Sequence, residues 1–99
     1  MKRNPSEYRQ YMTSYCVACG APDTSFNPLD PDHVKTFGAG GENAPWNIMT
    51  LCRIHHQDKG SKGVNFMANQ FPNYKKWLID NGWEFDEFRG KWVRYEVNQ

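Results

Sequence analysis

The stretch Leu51-Cys52-Arg53-Ile54-His55-His56, taken with Cys16-Val17-Ala18-Cys19, decides the organisation of this 99-residue chain. The two stretches contain all three cysteines and two of the three histidines. A C-x-x-C turn brings two sulfurs to one ion, and C-x-x-H offers a second pair of ligands at the same spacing. Cys16, Cys19, Cys52 and His55 therefore predict a tetrahedral Cys3His zinc site. Such a site is structural, because its closed coordination sphere leaves no position open for chemistry.

The length and composition favour a single small domain over residues 1–99 that needs a cross-link to be stable. An odd number of cysteines suits a metal better than a set of disulfides. The sequence has no apolar run long enough for a signal peptide or a membrane span. We therefore expect no membrane association and a location in the cytoplasm of a bacterial or phage-infected host cell.

The net charge argues neither for nor against nucleic acid as a partner. It is +1 formally, and three zinc-bound thiolates with one Zn²⁺ bring it to about zero. Affinity for phosphates would have to come from local clusters, namely Lys2/Arg3, Lys59/Lys62 and Lys75/Lys76. The aromatic side chains fall at helix and strand periods, and we interpret them as core packing rather than as platforms for stacked bases.

The pattern along the chain predicts an α+β fold. Pro5 suits the start of a helix over residues 5–14, and alternating residues 83–97 around Arg89-Gly90 indicate a terminal β-hairpin. Between them we expect short strands at His33–Phe37 and Trp46–Leu51, a helix from Arg53 to Gly60, and two short helices over 64–71 and 72–82.

The 32 residues between the two ligand pairs exceed the roughly 12 to 20 of simple zinc fingers and ribbons. They contain Asp32-His33, Gly40-Gly41 and Asn47, and His56 follows the second pair directly. This order and spacing resemble the zinc-stapled branch of the HNH endonuclease family over about residues 16–60. The resemblance implies a ββα-metal core, two short antiparallel strands and a helix, with C-terminal helices and a hairpin added over 61–99.

Carried over position by position, the resemblance implies that Asp32 and His56 bind a catalytic divalent ion, with Mg²⁺ or Mn²⁺ expected. His33 would be the general base, and Asn47 would fix the loop that holds it. Phosphodiester hydrolysis needs a base to deprotonate water and a cation to offset charge on the phosphate oxygens. A histidine is a base only when neutral, so activity is expected to fall in acid.

Two departures from the family pattern affect the metal sites. His55 stands where most zinc-stapled members have a fourth cysteine, which leaves His55 and His56 interchangeable until helix geometry and the x-x spacing assign His55 to zinc. Lys59 and Gly60 stand where some members have a further ligand. The catalytic ion should therefore bind with modest affinity and need to be supplied.

The sequence thus predicts a metal-dependent endonuclease that hydrolyses nucleic acid, with DNA as the expected substrate and with Lys59 and Lys62 contacting phosphates. The alternative is a non-catalytic zinc-containing module that binds nucleic acid or protein. A third possibility is a phage or host nuclease for branched or packaged DNA, in which the C-terminal hairpin shapes substrate choice. Target sequence and oligomeric state are left open.

Overall fold

The computed structural model describes residues 8–95. In this part of the chain the fold is α+β, with two helices and two antiparallel two-stranded sheets. The elements in order are β1 (Leu29–His33), a 3₁₀ turn (Phe37–Ala39), β2 (Ile48–Cys52), α1 (Arg53–Gln70), α2 (Pro72–Asp80), β3 (Trp83–Asp86) and β4 (Lys91–Arg94). None of these helices is long and apolar enough to cross a membrane.

The first sheet pairs β1 with β2, and both strands differ from the sequence expectation. The predicted strand at His33–Phe37 is wrong, since β1 runs over Leu29–His33, and β2 begins two residues after Trp46. All five residues of β2 are buried, so the segment that pairs with β2 is determined by tertiary packing rather than by its own β-propensity. Pro31 is tolerated in β1 because this strand has a neighbour on one side only.

Helix α1 continues beyond Gly60, where the sequence predicted its end. The helical path is interrupted instead at Gly63, whose φ of 88° and ψ of 174° are not helical. A positive φ of this kind favours glycine, since other residues are strained there. The expected helix over 64–71 is therefore the second half of α1, and α2 follows it after Phe71.

The terminal hairpin is confirmed over Trp83–Asp86 and Lys91–Arg94, and Tyr95 lies beyond its second strand. Strands β3 and β4 pair with Trp83 opposite Arg94, and Gly90 closes the turn with a φ of 69°. Val97, which we expected to extend the hairpin, lies outside the described residues. The same holds for residues 5–7 of the predicted N-terminal helix and for the Lys2/Arg3 cluster. Of the described residues 8–14, Tyr8 and Arg9 are helical and residues 10–14 are not.

The core lies between β2 and the two helices. Its fully buried side chains include Met49, Leu51, Met67, Tyr74 and Leu78. Burial of side chains of this size contributes roughly 1.5–3 kcal/mol each relative to leaving them exposed. This core holds β2 and the first turns of α1 in place, and the candidate site is built on those two elements.

Candidate functional site

The predicted zinc ligands converge. The ligand atoms of Cys16, Cys19, Cys52 and His55 all lie within 4.8 Å of one another. The Sγ atoms of Cys19 and Cys52 are 3.9 Å apart, and His55 Nδ1 is 3.9 Å from Cys16 Sγ and 3.2 Å from Cys52 Sγ. Zn–S bonds of 2.3 Å in a tetrahedron place sulfurs about 3.8 Å apart. The cluster therefore has the dimensions of a metal site such as one for zinc.

Local structure brings these four ligands together. Gly20, with a φ of 77°, turns the chain behind Cys19 and donates its backbone N–H to the Cys16 carbonyl at 2.7 Å. The Val17 amide donates to the Thr50 carbonyl of β2, which ties the turn to the sheet. On the other side the His55 ring packs edge-on against Phe71, with 4.7 Å between ring centroids.

The pKa values of the Cys19 and Cys52 thiols shift in opposite directions. Desolvation raises the pKa of the Cys19 thiol to about 11, and the neighbouring thiols of Cys16 and Cys52 add to this shift. Burial opposes ionisation of Cys52 too, but hydrogen bonds from the His55 amide and neighbouring side chains outweigh it and lower its pKa. Binding of a divalent cation supplies the charge that lets all three become thiolates.

A second cluster lies where α1 crosses β1. Asp30 and Asp32 alternate along the strand and so share one face, while Arg53, His56 and Lys59 follow at three-residue spacing on the helix. Arg53 donates two hydrogen bonds to Asp30, both at 3.1 Å. Asp32 lies between His56 Nδ1, at 3.3 Å, and Lys59 Nζ, at 3.2 Å. The structure therefore brings together the two predicted ligands of a catalytic ion.

Both of these ligands have a buried polar atom that lacks a hydrogen bond to any residue from 8 to 95. The two atoms are Asp32 Oδ2 and His56 Nδ1, and Asp32 itself is only 5% exposed. Their neighbours are close enough for ion pairing but do not have hydrogen-bond geometry. Contact with the Asp32 carboxylate raises the pKa of His56 above 6.5, although partial burial of the ring opposes this shift.

Lys59 and Lys62 occupy different environments, although both were predicted from the sequence to contact phosphates. Lys59 is buried, and its ammonium also donates a hydrogen bond to the His33 carbonyl at 2.7 Å. Its charge is directed at Asp32 rather than at the surface. Lys62 is exposed one turn further along α1, with its ammonium over the Phe66 ring. Only Lys62 therefore has the accessible charge expected of a phosphate contact.

His33 ends β1 at the rim of the same cluster, and its ring is held from two sides. Nε2 lies 2.7 Å from Asn43 Oδ1, and Tyr8 packs edge-on at 5.1 Å between ring centroids. An amide oxygen accepts a hydrogen bond, so Nε2 carries the proton of the neutral ring and Nδ1 is its basic nitrogen. Asn43 could not be singled out from the sequence, because a lone asparagine in a glycine-rich loop is typical of an ordinary turn.

Asn47 secures the loop between β1 and β2. Its buried side chain accepts a hydrogen bond from the Lys35 amide at 2.8 Å, and it donates to the carbonyls of Lys35 and Glu42 at 3.0 and 2.9 Å. A Cβ on Gly41 would overlap the Lys35 carbonyl oxygen and the Asn47 amide. The hydrogen bonds of Asn47 and the absence of a side chain at Gly41 together hold the two ends of this loop close to each other. The same loop carries Asn43.

The cluster opens into a cleft of about 560 Å³. Asp32, His33 and His56 line it, and Arg9 and Arg53 add positive charge. The cleft thus combines two carboxylates, of Asp30 and Asp32, with two imidazoles and two guanidinium groups, and the Arg53 guanidinium is already paired with Asp30.

Comparison of the chain with protein-family models, curated proteins and solved structures finds no match. The resemblance to a nuclease family therefore depends on the motif residues and on how they are arranged in space.

Proposed function

We propose that this protein is an HNH-type endonuclease, a metal-dependent phosphodiester hydrolase with nucleic acid, expected to be DNA, as its substrate. The observation that carries the proposal is the convergence of Asp32, His33 and His56 on one cleft, each brought there by a different position in β1 or α1. In this interpretation β1, β2 and the start of α1 are the ββα-metal core, stapled by a zinc ion on Cys16, Cys19, Cys52 and His55.

The residues present fit a hard divalent cation such as Mg²⁺ or Mn²⁺. Asp32 Oδ1 and His56 Nδ1 lie 3.3 Å apart. Adjacent ligands of an octahedral ion with bonds of about 2.1 Å are about 3.0 Å apart, so a small adjustment of either side chain suffices. The lack of a hydrogen bond at a buried atom of each residue also favours such a role. When bound, the ion would offset negative charge on the phosphate and on the departing oxygen.

The side chains around that position divide the remaining work. His33, with its proton on Nε2 directed to Asn43, offers Nδ1 to deprotonate an attacking water. Asn43 also stabilises the imidazolium that results, since its amide oxygen accepts the Nε2 hydrogen bond in both states. Asn47 keeps the loop that carries Asn43 in place. Of the two arginines that line the cleft, Arg53 is occupied by Asp30, so we expect Arg9 to contact phosphate oxygens.

A non-catalytic zinc module remains the competing function. It would need the cysteine cluster but would have no use for a histidine base beside a buried carboxylate. The ion pair of Asp32 with Lys59 could serve such a module as a purely structural contact. A nuclease would cleave DNA when a divalent ion is supplied, whereas a binding module would leave the DNA intact.

Relaxation of supercoiled plasmid tests the proposal. The zinc-loaded protein is incubated with Mg²⁺, with Mn²⁺ or with neither, alongside Asp32→Asn as the variant that loses a carboxylate. We expect nicked DNA only with the parent and a supplied ion. Binding of DNA without any nicking under all conditions would favour the binding module and contradict the nuclease.

A further inference from the structure

A second groove, of about 640 Å³, shares no lining residue with the cluster of Cys16, Cys19, Cys52 and His55. Its walls are the loop segment around Lys35, the kink of α1 next to Lys62, and the C-terminal hairpin. The basic residues among those that line it are Lys35, Lys62, Arg89, Lys91 and Arg94.

The groove is positively charged, whereas the chain as a whole is nearly neutral. The whole sequence has 12 basic and 11 acidic residues, yet none of the described residues that line the groove is acidic. Lys35, Lys62 and Lys91 are exposed and have no carboxylate partner within residues 8–95. Arg89 pairs with Asp86 at 3.6 Å. The groove therefore concentrates positive charge on a protein that is nearly neutral overall.

The walls of the groove are held in place by contacts between distant parts of the chain. Asn65 of α1 donates to the Gly90 carbonyl at the hairpin tip at 2.7 Å. Trp83 Nε1 donates to the Trp46 carbonyl at 2.6 Å, and the Arg94 guanidinium stacks 4.5 Å from the Trp46 ring. The groove is thus formed before any ligand binds, which lowers the entropic cost of binding.

The groove adjoins the candidate catalytic cleft. Thr36 lines both concavities. Lys62 lies six residues after His56 on α1, a rise of about 9 Å along the helix, or two to three nucleotide steps at 3.4 Å each. A nucleic-acid strand reacting at the cleft would therefore run within reach of the groove.

We propose that this groove binds the phosphodiester backbone of the nucleic-acid substrate on one side of the scissile bond, with Lys35, Lys62 and Lys91 contacting phosphates. The inference rests on the proposed nuclease function for the identity of the occupant. It gives the C-terminal hairpin a binding role, as the wall that carries Lys91. Since the contacts are to phosphates, they position the substrate without reading its sequence.

The test measures binding separately from cleavage. A fluorescein-labelled DNA duplex is titrated with zinc-loaded protein in the His33→Ala background, without a supplied divalent ion, at several salt concentrations. Lys62→Gln/Lys91→Gln is compared with Lys75→Gln/Lys76→Gln, which loses the same charge on α2. Lys35→Gln, in the β1–β2 loop, gives an independent second variant. Zinc content and circular dichroism show that each variant is folded.

We expect the groove double variant to bind at least about tenfold more weakly at low salt, and the slope of log K against log salt to be about two units less steep. The α2 double variant should bind like the His33→Ala parent. Equal weakening of the two double variants, no weakening in either, or no binding by the His33→Ala parent would each overturn the proposal. If the groove binds DNA as expected but the unmutated protein never nicks plasmid, the groove stands and the nuclease function fails.

Discussion

Lys59 and Asp32 form a buried ion pair, with Nζ 3.2 Å from Oδ2, at the position where the nuclease proposal requires a divalent cation. The ammonium already neutralises part of the charge that would attract such an ion. If a divalent ion binds there as proposed, it has to displace Lys59 from the Asp32 carboxylate, and we therefore expect its affinity to be modest.

Replacement of Lys59 by Met should separate stability from ion binding. The loss of one partner of a buried pair is expected to destabilise the metal-free protein by about 3 kcal/mol. Mn²⁺ should then stabilise this variant more than it stabilises the parent, because the ammonium no longer competes. Urea unfolding with and without Mn²⁺ measures both effects. Lys62→Met, at an exposed position on the same helix, is the control, and a Lys59→Met protein that gains no more from Mn²⁺ than the parent would contradict this account.

The zinc cluster predicts a contrast between two changes at one position. His55 faces the cluster through Nδ1, which is next to the ring's attachment point and so reaches about as far as a cysteine sulfur. His55→Cys should therefore retain zinc and the fold, whereas His55→Ala and Cys16→Ser should lose both. Zinc binding in small sites supplies roughly 10 kcal/mol or more, as much as the whole stability of a small domain. Metal analysis measures the zinc content of each variant, and circular dichroism measures its folding. A folded Cys16→Ser protein with unchanged zinc content would rule out the assigned ligands.

Gly41 should be irreplaceable and Gly38 replaceable. An added Cβ at Gly41 overlaps the Lys35 carbonyl and the Asn47 amide, whereas at Gly38 it meets no atom within 4 Å. We expect Gly41→Ala to break the hydrogen bonds of Asn47 to the loop and to destabilise the protein by roughly 2 kcal/mol or more, with cleavage lost as His33 loses its support. Thermal unfolding of both variants checks this. Equal melting temperatures for the two variants would mean that the loop is not fixed in this way.

Ion affinity should depend on pH through His56. Its pKa is raised above 6.5 by Asp32, so the imidazolium persists to a higher pH than in an ordinary histidine, and its protonated ring cannot bind a cation. Without a supplied ion, the charged pair of His56 with Asp32 stabilises the protein at pH below 6.5, and this contribution is lost as the pH rises through the raised pKa. The affinity for Mn²⁺ should change with pH in the opposite direction, falling about tenfold for each pH unit below that pKa. Calorimetric titration between pH 6 and 8 measures this, and a pH-independent affinity would exclude His56 as a ligand.

The convergence of Cys16, Cys19, Cys52 and His55 and the hairpin could be predicted from the sequence because their signals are local. The two C-x-x-C/H spacings predicted the converging ligands, and alternation around Arg89-Gly90 predicted β3 and β4. The first strand could not be predicted, because Asp30 and Pro31 are typical of turns and are extended here only through pairing with the buried β2. Gly60 and Gly63 look alike in the sequence, and only the backbone angles show which interrupts α1.

The candidate site was predictable in its residues but not in its contacts. Asp32, His33 and His56 follow from the motif, whereas the burial of Lys59 against Asp32 depends on how α1 crosses β1. Asn43 lies ten residues after His33, and its contact with the His33 ring likewise depends on a loop conformation that Asn47 and Gly41 fix. Contacts of this kind come from tertiary packing, which short-range patterns do not encode.

The proposed function depends on the claim that His33 is the base of a phosphodiester hydrolase, and plasmid relaxation by the His33→Ala variant tests it. The parent and the variant are matched in zinc content and folding and are assayed with the same supplied Mg²⁺ or Mn²⁺ near neutral pH. Removal of a general base typically costs about 10²–10⁴ in rate, so His33→Ala should produce almost no nicked circle in the time the parent relaxes the plasmid completely. Equal nicking by the two proteins would contradict the claim.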